Sequence, residues 1–326
     1  MSGQSKDISG RLAVWVVISF TVIATLCATL FSFAENGTYF AQLLIYAVAV
    51  VGAVMVSKSA GVDYFQNSLI KNKINFQSTV YVVIMGLGLL YFGSFFANII
   101  YYGLELIGYT PSISDISVTN VTELVINLVF VGILPALSEE FLLRGGVLAS
   151  MNKTEKCTKA ILLSALFFAI LHGSIVQTAH QFIVGIMCAI LFIVGKSLWY
   201  PIVLHAFNNC FAVVMTYVQN ISGLNEQSLT AVEFFAFDTL CVQVVLAIAG
   251  LAVAYYAFRA FLRKEERKLS EEYADSVVEN SVLKRMAVFD LQEKSKPAKF
   301  ERIAFWCAVG VCVLLVSFDF VGGLYL

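Results

Sequence analysis

The stretch 138–144, Ser-Glu-Glu-Phe-Leu-Leu-Arg, places two adjacent carboxylates and a guanidinium inside an otherwise apolar run. Ionisable groups at membrane depth are costly, so they usually face a protein interior or a water-filled cavity and mark function. Glu140 and Arg144 share one face of a helix, whereas Glu139 lies about 100° away around it. The stretch therefore predicts either a structural ion pair between helices or acid–base chemistry within the membrane.

The elements that must position these groups are membrane helices. The chain has 326 residues, of which 59% are hydrophobic and only 13% charged, with a mean hydropathy of +0.83. Apolar runs of about 20 residues recur, which is the length that a membrane-crossing helix requires. The composition predicts an all-α polytopic bundle. A net charge of −1 gives no indication of nucleic acid as a partner, and the seven cysteines show neither metal-ligand spacing nor a disulfide framework.

Nine spans are predicted, over residues 13–34, 38–57, 79–107, 121–150, 158–177, 179–195, 198–219, 235–262 and 303–325. They divide the chain into a cytoplasmic N-terminus (1–12), spans 1–3 with their loops (13–120), a core of spans 4–7 (121–219), span 8 (220–262), a cytoplasmic polar insertion (263–302) and span 9 (303–326). With the N-terminus in the cytoplasm, every loop Lys and Arg falls inside, and the outer loops carry only acids. This positive-inside pattern places the C-terminus outside. The protein is expected in the plasma (inner) membrane, or in the endoplasmic reticulum membrane of a eukaryote.

The three histidines of the chain can be compared by their depth in this topology. At 1.5 Å per residue, Glu140, His172 and His205 lie about 14–20 Å from the lysines at the cytoplasmic ends of their spans. Three helices then bring ionisable groups to a similar depth, in a cavity expected to open toward the cytoplasm. His180 lies about 30 Å from Lys159 and is predicted to stand at the outer surface, apart from this site.

Neighbouring residues support the two deeper histidines. Asn209 follows His205 by four residues and shares its helix face, and Phe168 precedes His172 by four and can support its ring. Pro135 precedes the acidic pair and can kink its span, which would help to open a wet cavity.

In order along the chain, Glu139-Glu140-xxx-Arg144, Phe168-xxx-His172 and His205-xxx-Asn209 resemble the three motifs of the CAAX protease and bacteriocin-processing (CPBP, or Abi) family, which includes the Ras-converting CAAX endoprotease. The resemblance covers roughly residues 130–215. It implies an all-helical intramembrane bundle and a protease that cuts membrane-associated peptides or proteins.

Peptide hydrolysis in a bilayer needs water, a general base and a group that stabilises the oxyanion. Beside the resemblance, Glu140 is the expected base and His172 its assistant, as water positioner or proton donor. His205 and Asn209 are expected to stabilise the oxyanion. Glu139, Arg144 and Phe168 are expected to support these groups without touching the substrate.

Alternatives remain open at this point. Glu140, His172 and His205 could instead ligate zinc, although the chain has no His-Glu-x-x-His run, so a cofactor-free glutamate mechanism is preferred. Intramembrane glutamates and histidines also build proton-coupled carriers. A non-proteolytic scaffold or immunity protein of the same fold is the third possibility. Whether the client is prenylated, and the oligomeric state, cannot be predicted from the residues.

Overall fold

The computed structural model describes residues 39, 42–48, 50, 51, 54, 69–110, 118–151, 155–223, 230–272 and 299–325. Within these residues all regular secondary structure is helical and no strand is present, so the all-α prediction is confirmed for this part of the chain. The first predicted span (13–34), nine of the twenty positions of the second (38–57) and positions 273–298 of the polar insertion lie outside the described residues.

Eight helices are used below: α1 (Phe76–Glu105), α2 (Val121–Leu148), α3 (Cys157–Leu171), α4 (Ile175–Gly195), α5 (Trp199–Ser222), α6 (Ala231–Phe234), α7 (Phe237–Glu272) and α8 (Lys299–Tyr325). Five of them, α1, α2, α4, α5 and α7, are long and apolar enough to cross a membrane. The protein is therefore membrane-integral, whereas the count of nine spans and their orientation remain predictions. Helix α7 extends ten residues into the predicted insertion at 263–302.

Local sequence explains where the helices begin. Asn75 precedes α1, and its Oδ1 accepts hydrogen bonds from the backbone N–H groups of Gln77 (2.8 Å) and Ser78 (3.3 Å). Asn120 precedes α2 and accepts from the N–H of Glu123 at 3.0 Å. Such caps satisfy N–H groups that lack a partner within the helix.

Helix α2, which carries the acidic pair, is irregular. Two π-helical segments, Leu128–Ile133 and Phe141–Leu148, flank a short α-helical segment, Leu134–Glu140. Pro135 lies in the first turn of that short segment, directly after a π-helical segment. Since π-helical hydrogen bonds join residues five apart, each such segment rotates the residues that follow it relative to a regular α-helix.

Helices α3 and α4 form a tight antiparallel hairpin. Helix α3 has 15 residues and ends at Leu171, six residues before the predicted end of the fifth span. Gly173 adopts a φ of +65°, a conformation that glycine allows and that reverses the chain. Helix α4 then begins at Ile175, four residues earlier than predicted. The reversal therefore lies close to His172.

Close helix packing surrounds this hairpin. Helix α1 lies against α7 where two glycines face each other: a Cβ on Gly88 would be 2.4 Å from the carbonyl oxygen of Gly250. Small residues of this kind let membrane helices approach closely. A cluster of buried apolar side chains lies among α1, α2, α3, α4, α5 and α7 and includes Leu143, Phe168 and Leu191.

Candidate active site

A cavity of about 770 Å³ lies between α1, α2, the α3–α4 turn, α5 and α8. Its ionisable and amide lining includes Glu139, His172, His180, Asn208, Asn209 and Asp319. This volume is within the range of roughly 300–1,000 Å³ that is usual for ligand pockets. The side chains that line the cavity come from different helices, and these helices meet only in the folded bundle.

The two adjacent glutamates of α2 face different surroundings. Glu139 lines the cavity and is partly exposed, whereas Glu140 is completely buried and is absent from the cavity wall. Glu139 is near enough to His205, Glu140 and Arg144 to interact electrostatically with all three. Only Glu139 is therefore placed to meet water or a ligand in the cavity.

Glu140 belongs to a buried ionic cluster. Its Oε1 accepts hydrogen bonds from Arg144 Nη1 at 2.8 Å and from His205 Nδ1 at 3.0 Å, and all three side chains have 0% exposure. Arg144 also donates from Nη2 to the carbonyl oxygen of Gly185 at 2.9 Å. Because buried charges are tolerated only when paired and hydrogen-bonded, this cluster ties α2 to α4 and α5.

Three polar atoms of that cluster are buried without a hydrogen-bond partner: Glu140 Oε2, Arg144 Nε and His205 Nε2. Unpaired buried polar atoms are uncommon and often indicate an ordered water or a functional role. His205 is the informative case. Its Nδ1 is fixed by Glu140, so its second ring nitrogen is the one available to another group.

Phe168 packs among the charged and imidazole side chains. Its ring meets the rings of His172 and His205 edge-on, with both centroid distances 5.0 Å. The guanidinium carbon of Arg144 lies 4.8 Å from the same ring centroid, a cation–π distance. On its other side Gly185 lets α4 approach, since a Cβ there would be 3.1 Å from the Phe168 ring. Phe168 thus fixes the spacing between both histidines and the ionic cluster.

His172 is held in one tautomer. Its Nδ1 lies 2.8 Å from the carbonyl oxygen of Phe168. Because a carbonyl can only accept, Nδ1 carries the proton and Nε2 is the remaining ring nitrogen. His172 lines the cavity, so in the neutral ring Nε2 is available there as a proton acceptor.

His180 also lines the cavity, so the prediction that it stands apart at the outer surface is wrong. Its Nε2 lies 3.1 Å from Asn208 Oδ1, and its Nδ1 rests against Gly93, where a Cβ would approach to 2.6 Å. The depth estimate placed His180 at the end of a span. In the structure α4 begins five residues before it, which draws His180 into the bundle beside the α3–α4 turn.

Asp319 reaches the cavity from α8, far away in sequence. Its Oδ2 accepts hydrogen bonds from the backbone N–H of Ile175 and the hydroxyl of Tyr109, both at 3.0 Å. It thereby holds the first turn of α4, next to His172. Asp319 lies outside the segment that carries the three motifs, and nothing in its sequence surroundings pointed to this role.

The sequence analysis identified most of the polar residues that lie at the cavity or directly behind it. Of the predicted set, Glu139, His172 and Asn209 line the cavity, whereas Glu140, Arg144, His205 and Phe168 form the buried layer behind it. His180, Asn208 and Asp319 were missed. The i,i+3 spacing of His205 and Asn208 was a signal that could have identified Asn208.

The three residues of the zinc alternative can be compared with the arrangement that the structure describes. Among the described residues, no three His, Cys, Asp or Glu side chains converge closely enough to hold a metal ion. Glu140 directs its Oε1 at Arg144 and His205, so Glu140 and His205 are bonded to each other. Glu140, His172 and His205 therefore do not fit a shared zinc ion in this arrangement.

Comparison with known families adds an independent finding. Residues 121–211 match the family model described as Rce1-like, type II CAAX prenyl endopeptidase Rce1-like. The matched segment runs from the start of α2 into α5 and contains all three motifs. The resemblance to the CPBP family, drawn from those motifs, is thereby confirmed for this segment. No curated protein and no solved structure matches the chain significantly.

Proposed function

We propose that this protein, whose residues 121–211 match the Rce1-like CAAX endopeptidases, is an intramembrane protease that hydrolyses a peptide bond in the α2–α5 cavity. The observation that carries the proposal is the convergence of Glu139, His172 and Asn209 on that cavity, in front of a buried ionic cluster. The family match covers less than a third of the chain and supports the class of reaction. The roles of individual residues are argued from their positions in and behind the cavity.

Glu139 is the proposed general base, in place of Glu140, which the sequence analysis favoured. A base must reach the proton of the water that it activates. Glu139 lines the cavity, whereas the Oε1 of Glu140 is occupied by Arg144 and His205. Glu140 as the base remains the competing version, and the experiment below separates the two.

In the proposed reaction, Glu139 takes a proton from water as the oxygen attacks the carbonyl carbon of the peptide. The carbonyl π electrons move to its oxygen, which gives a tetrahedral oxyanion. The C–N bond then breaks, the oxyanion returns to a carbonyl, and the leaving nitrogen receives a proton. His172 Nε2 assists as the relay that holds the water and passes a proton, since its Nδ1 is fixed on Phe168.

Asn209 and His205 are the proposed donors to the oxyanion. His205 lies in the buried layer behind the cavity wall, so its contact requires the oxyanion to enter between α2 and α5. The amide of Asn209 is at the cavity wall. A neutral His205 with its proton on Nδ1 would have no proton on Nε2, so it must be an imidazolium to donate to the oxyanion. In that state the charges of Glu139, Glu140, Arg144 and His205 sum to zero, which a low-dielectric interior favours. Glu140 and Arg144 then act by holding His205.

The decisive experiment compares Glu139→Gln with Glu140→Gln in purified protein in detergent, with cleavage of membrane peptides followed by mass spectrometry. Glu139→Gln should lower kcat by at least about 10²–10⁴-fold while the protein stays folded, because only the base is removed. Glu140→Gln should retain more turnover relative to its folded fraction. The reverse order would assign the base to Glu140. Full cleavage by both variants would exclude both glutamates as the base, and lack of cleavage by the unsubstituted protein would refute the protease.

Two other functions would produce different results. A non-proteolytic scaffold or immunity protein predicts that Glu139→Gln and Glu140→Gln both retain full cellular function. A proton-coupled carrier predicts solute or proton flux in protein-containing liposomes without any cleavage product. Neither is favoured by a specific contact in the cavity.

A further inference from the structure

The described Lys and Arg side chains, apart from the buried Arg144, collect at one end of the bundle. We call it the basic end, and it comprises Lys71, Lys73, Lys156, Lys159, Lys196, Arg259, Arg263, Lys264 and Arg267. Direct contacts join its parts. Ser197 donates to the carbonyl oxygen of Asn72 at 2.9 Å, and the hydroxyl of Tyr200 donates to Glu265 Oε1 at 2.7 Å.

The opposite end carries acids. This acidic end comprises Glu105, Glu123, Glu233, Asp238 and Asp319, and no described Lys or Arg lies there. Contacts join these parts as well. Tyr109 donates to Asp319, Asn220 donates to the carbonyl oxygen of Val118 at 3.3 Å, and the rings of Tyr102 and Phe234 stack at 4.4 Å. The two ends are therefore separate surfaces of opposite charge.

The cavity extends from the middle of the bundle to the acidic end. Its wall includes Tyr101, Val118, Ser174, Thr216 and Asp319, which are all near helix ends or turns on that side. None of the basic-end residues lines it. The deepest lining positions, such as Leu90 and Asn208, lie near the middle of their helices.

Membrane proteins retain Lys and Arg on the cytoplasmic side. The geometry points to a cavity that opens on the non-cytoplasmic side. Together with the proposed protease function, on which this step rests, it follows that the substrate is a peptide segment presented at that face. This replaces the expectation of a cavity open to the cytoplasm, which is incompatible with the Lys-bearing ends being cytoplasmic. A tail exposed only in the cytoplasm would meet the wrong end of the bundle.

The charges of the cavity wall restrict the charge that a substrate can carry. Glu139 and Asp319 line the cavity, and among the residues that the structure describes no Lys or Arg side chain does. A substrate bound through a carboxylate would require a cationic partner at that wall, because an unpaired charge is strongly disfavoured away from water. The substrate segment is therefore neutral or basic at the residues next to the cleaved bond.

The experiment uses sealed right-side-out and inverted membrane vesicles that contain the full chain with its seven cysteines replaced by serine. Single cysteines replace Thr216 in the cavity wall, Val232 at the acidic end and Lys71 at the basic end. A cationic, membrane-impermeant thiol reagent is added, and labelling is read by mass shift. Thr216→Cys and Val232→Cys should be labelled in right-side-out vesicles, and Lys71→Cys in inverted vesicles.

A second arm uses the native chain, so it does not depend on the cysteine-free protein folding. Impermeant fluorogenic decapeptides, matched except for flanking Lys or Glu residues, are added to each kind of vesicle. Cleavage of the Lys set in right-side-out vesicles only is expected. If Thr216→Cys were labelled in inverted vesicles together with Lys71→Cys, the orientation of the cavity would be refuted. Cleavage in inverted vesicles only would refute it as well. In both cases the proposed protease function would stand.

Two further outcomes would each refute one part of the proposal. Preference for the Glu set would overturn the substrate charge. Lack of cleavage in either vesicle type and in detergent, with Thr216→Cys labelled from outside, would refute the proposed protease function but support the orientation of the cavity.

Discussion

Glu140 and His205 are joined by a hydrogen bond of 3.0 Å between Oε1 and Nδ1, in a cluster from which solvent is excluded. The same oxygen accepts from Arg144, one helical turn away. A buried carboxylate oxygen that accepts from two side chains holds both of them in one orientation. It fixes the His205 ring through Nδ1 and leaves Nε2 as the second ring nitrogen.

The first prediction compares two ion pairs of identical i,i+4 spacing. Arg144→Met leaves Glu140 buried without its guanidinium and should lower the free energy of unfolding by about 3–5 kcal/mol. Lys159→Met breaks the exposed pair with Glu155, whose atoms are 2.7 Å apart, and should change it by only about 0.3–0.5 kcal/mol. Unfolding in mixed micelles measures both. Equal effects would contradict the structural role of the buried cluster.

The second prediction concerns Asp319 as a positioning residue. Asp319→Leu removes the acceptor that holds the Ile175 N–H and should lower kcat by up to about 10²-fold through displacement of the His172 turn. Asp319→Asn retains an acceptor oxygen and should restore most of the activity. If Asp319→Leu instead changed only KM, Asp319 would contact substrate and would not position His172.

Tyr109→Phe is the matched control, because it removes one donor to Asp319 and leaves the Ile175 contact. Burial, together with the bond to Asp319, raises the pKa of Tyr109 to about 12, so its hydroxyl remains a donor throughout an ordinary assay. We expect kcat to fall less in Tyr109→Phe than in Asp319→Leu. An equal loss would mean that the Tyr109 contact, and not the helix contact, holds the turn.

The third prediction concerns the two proposed oxyanion donors. Asn209→Ala should lower kcat by about 10²–10³-fold with KM little changed, the usual effect of losing one oxyanion donor. His205→Gln should also lower kcat, because it removes the second donor. Steady-state kinetics on the folded variants measures both effects. A change in KM alone for Asn209→Ala would mean that Asn209 binds the substrate without stabilising the oxyanion.

The fourth prediction concerns metal. Purified protein should cleave equally well with and without a strong chelator, since Glu140 and His205 are already bonded to each other. The zinc alternative predicts stoichiometric metal, activity that chelation abolishes, and metal retained in Glu139→Gln. Metal content and turnover are measured on the same sample. Chelator-sensitive activity with one zinc per chain would replace the mechanism and preserve the protease assignment.

Local patterns were sufficient for much of the architecture. Apolar runs and flanking polar residues predicted helices that the structure places at 76–105, 121–148, 175–195 and 199–222, because helix length and burial follow from composition. The three motifs also identified the neighbouring helices that surround the cavity. Helix ends were less predictable, and a few residues of error between α3 and α4 were enough to misplace His180.

The sequence by itself determined that two adjacent carboxylates, three histidines and an asparagine lie on or next to apolar helices, and that Glu139 and Glu140 point in directions about 100° apart. Only the tertiary structure decided which carboxylate faces the cavity. Spacing defines angles within one helix but not its rotation in the bundle, and the π-helical segments of α2 alter that rotation. The same reason applies to Asp319, which helix packing alone brings to the first turn of α4.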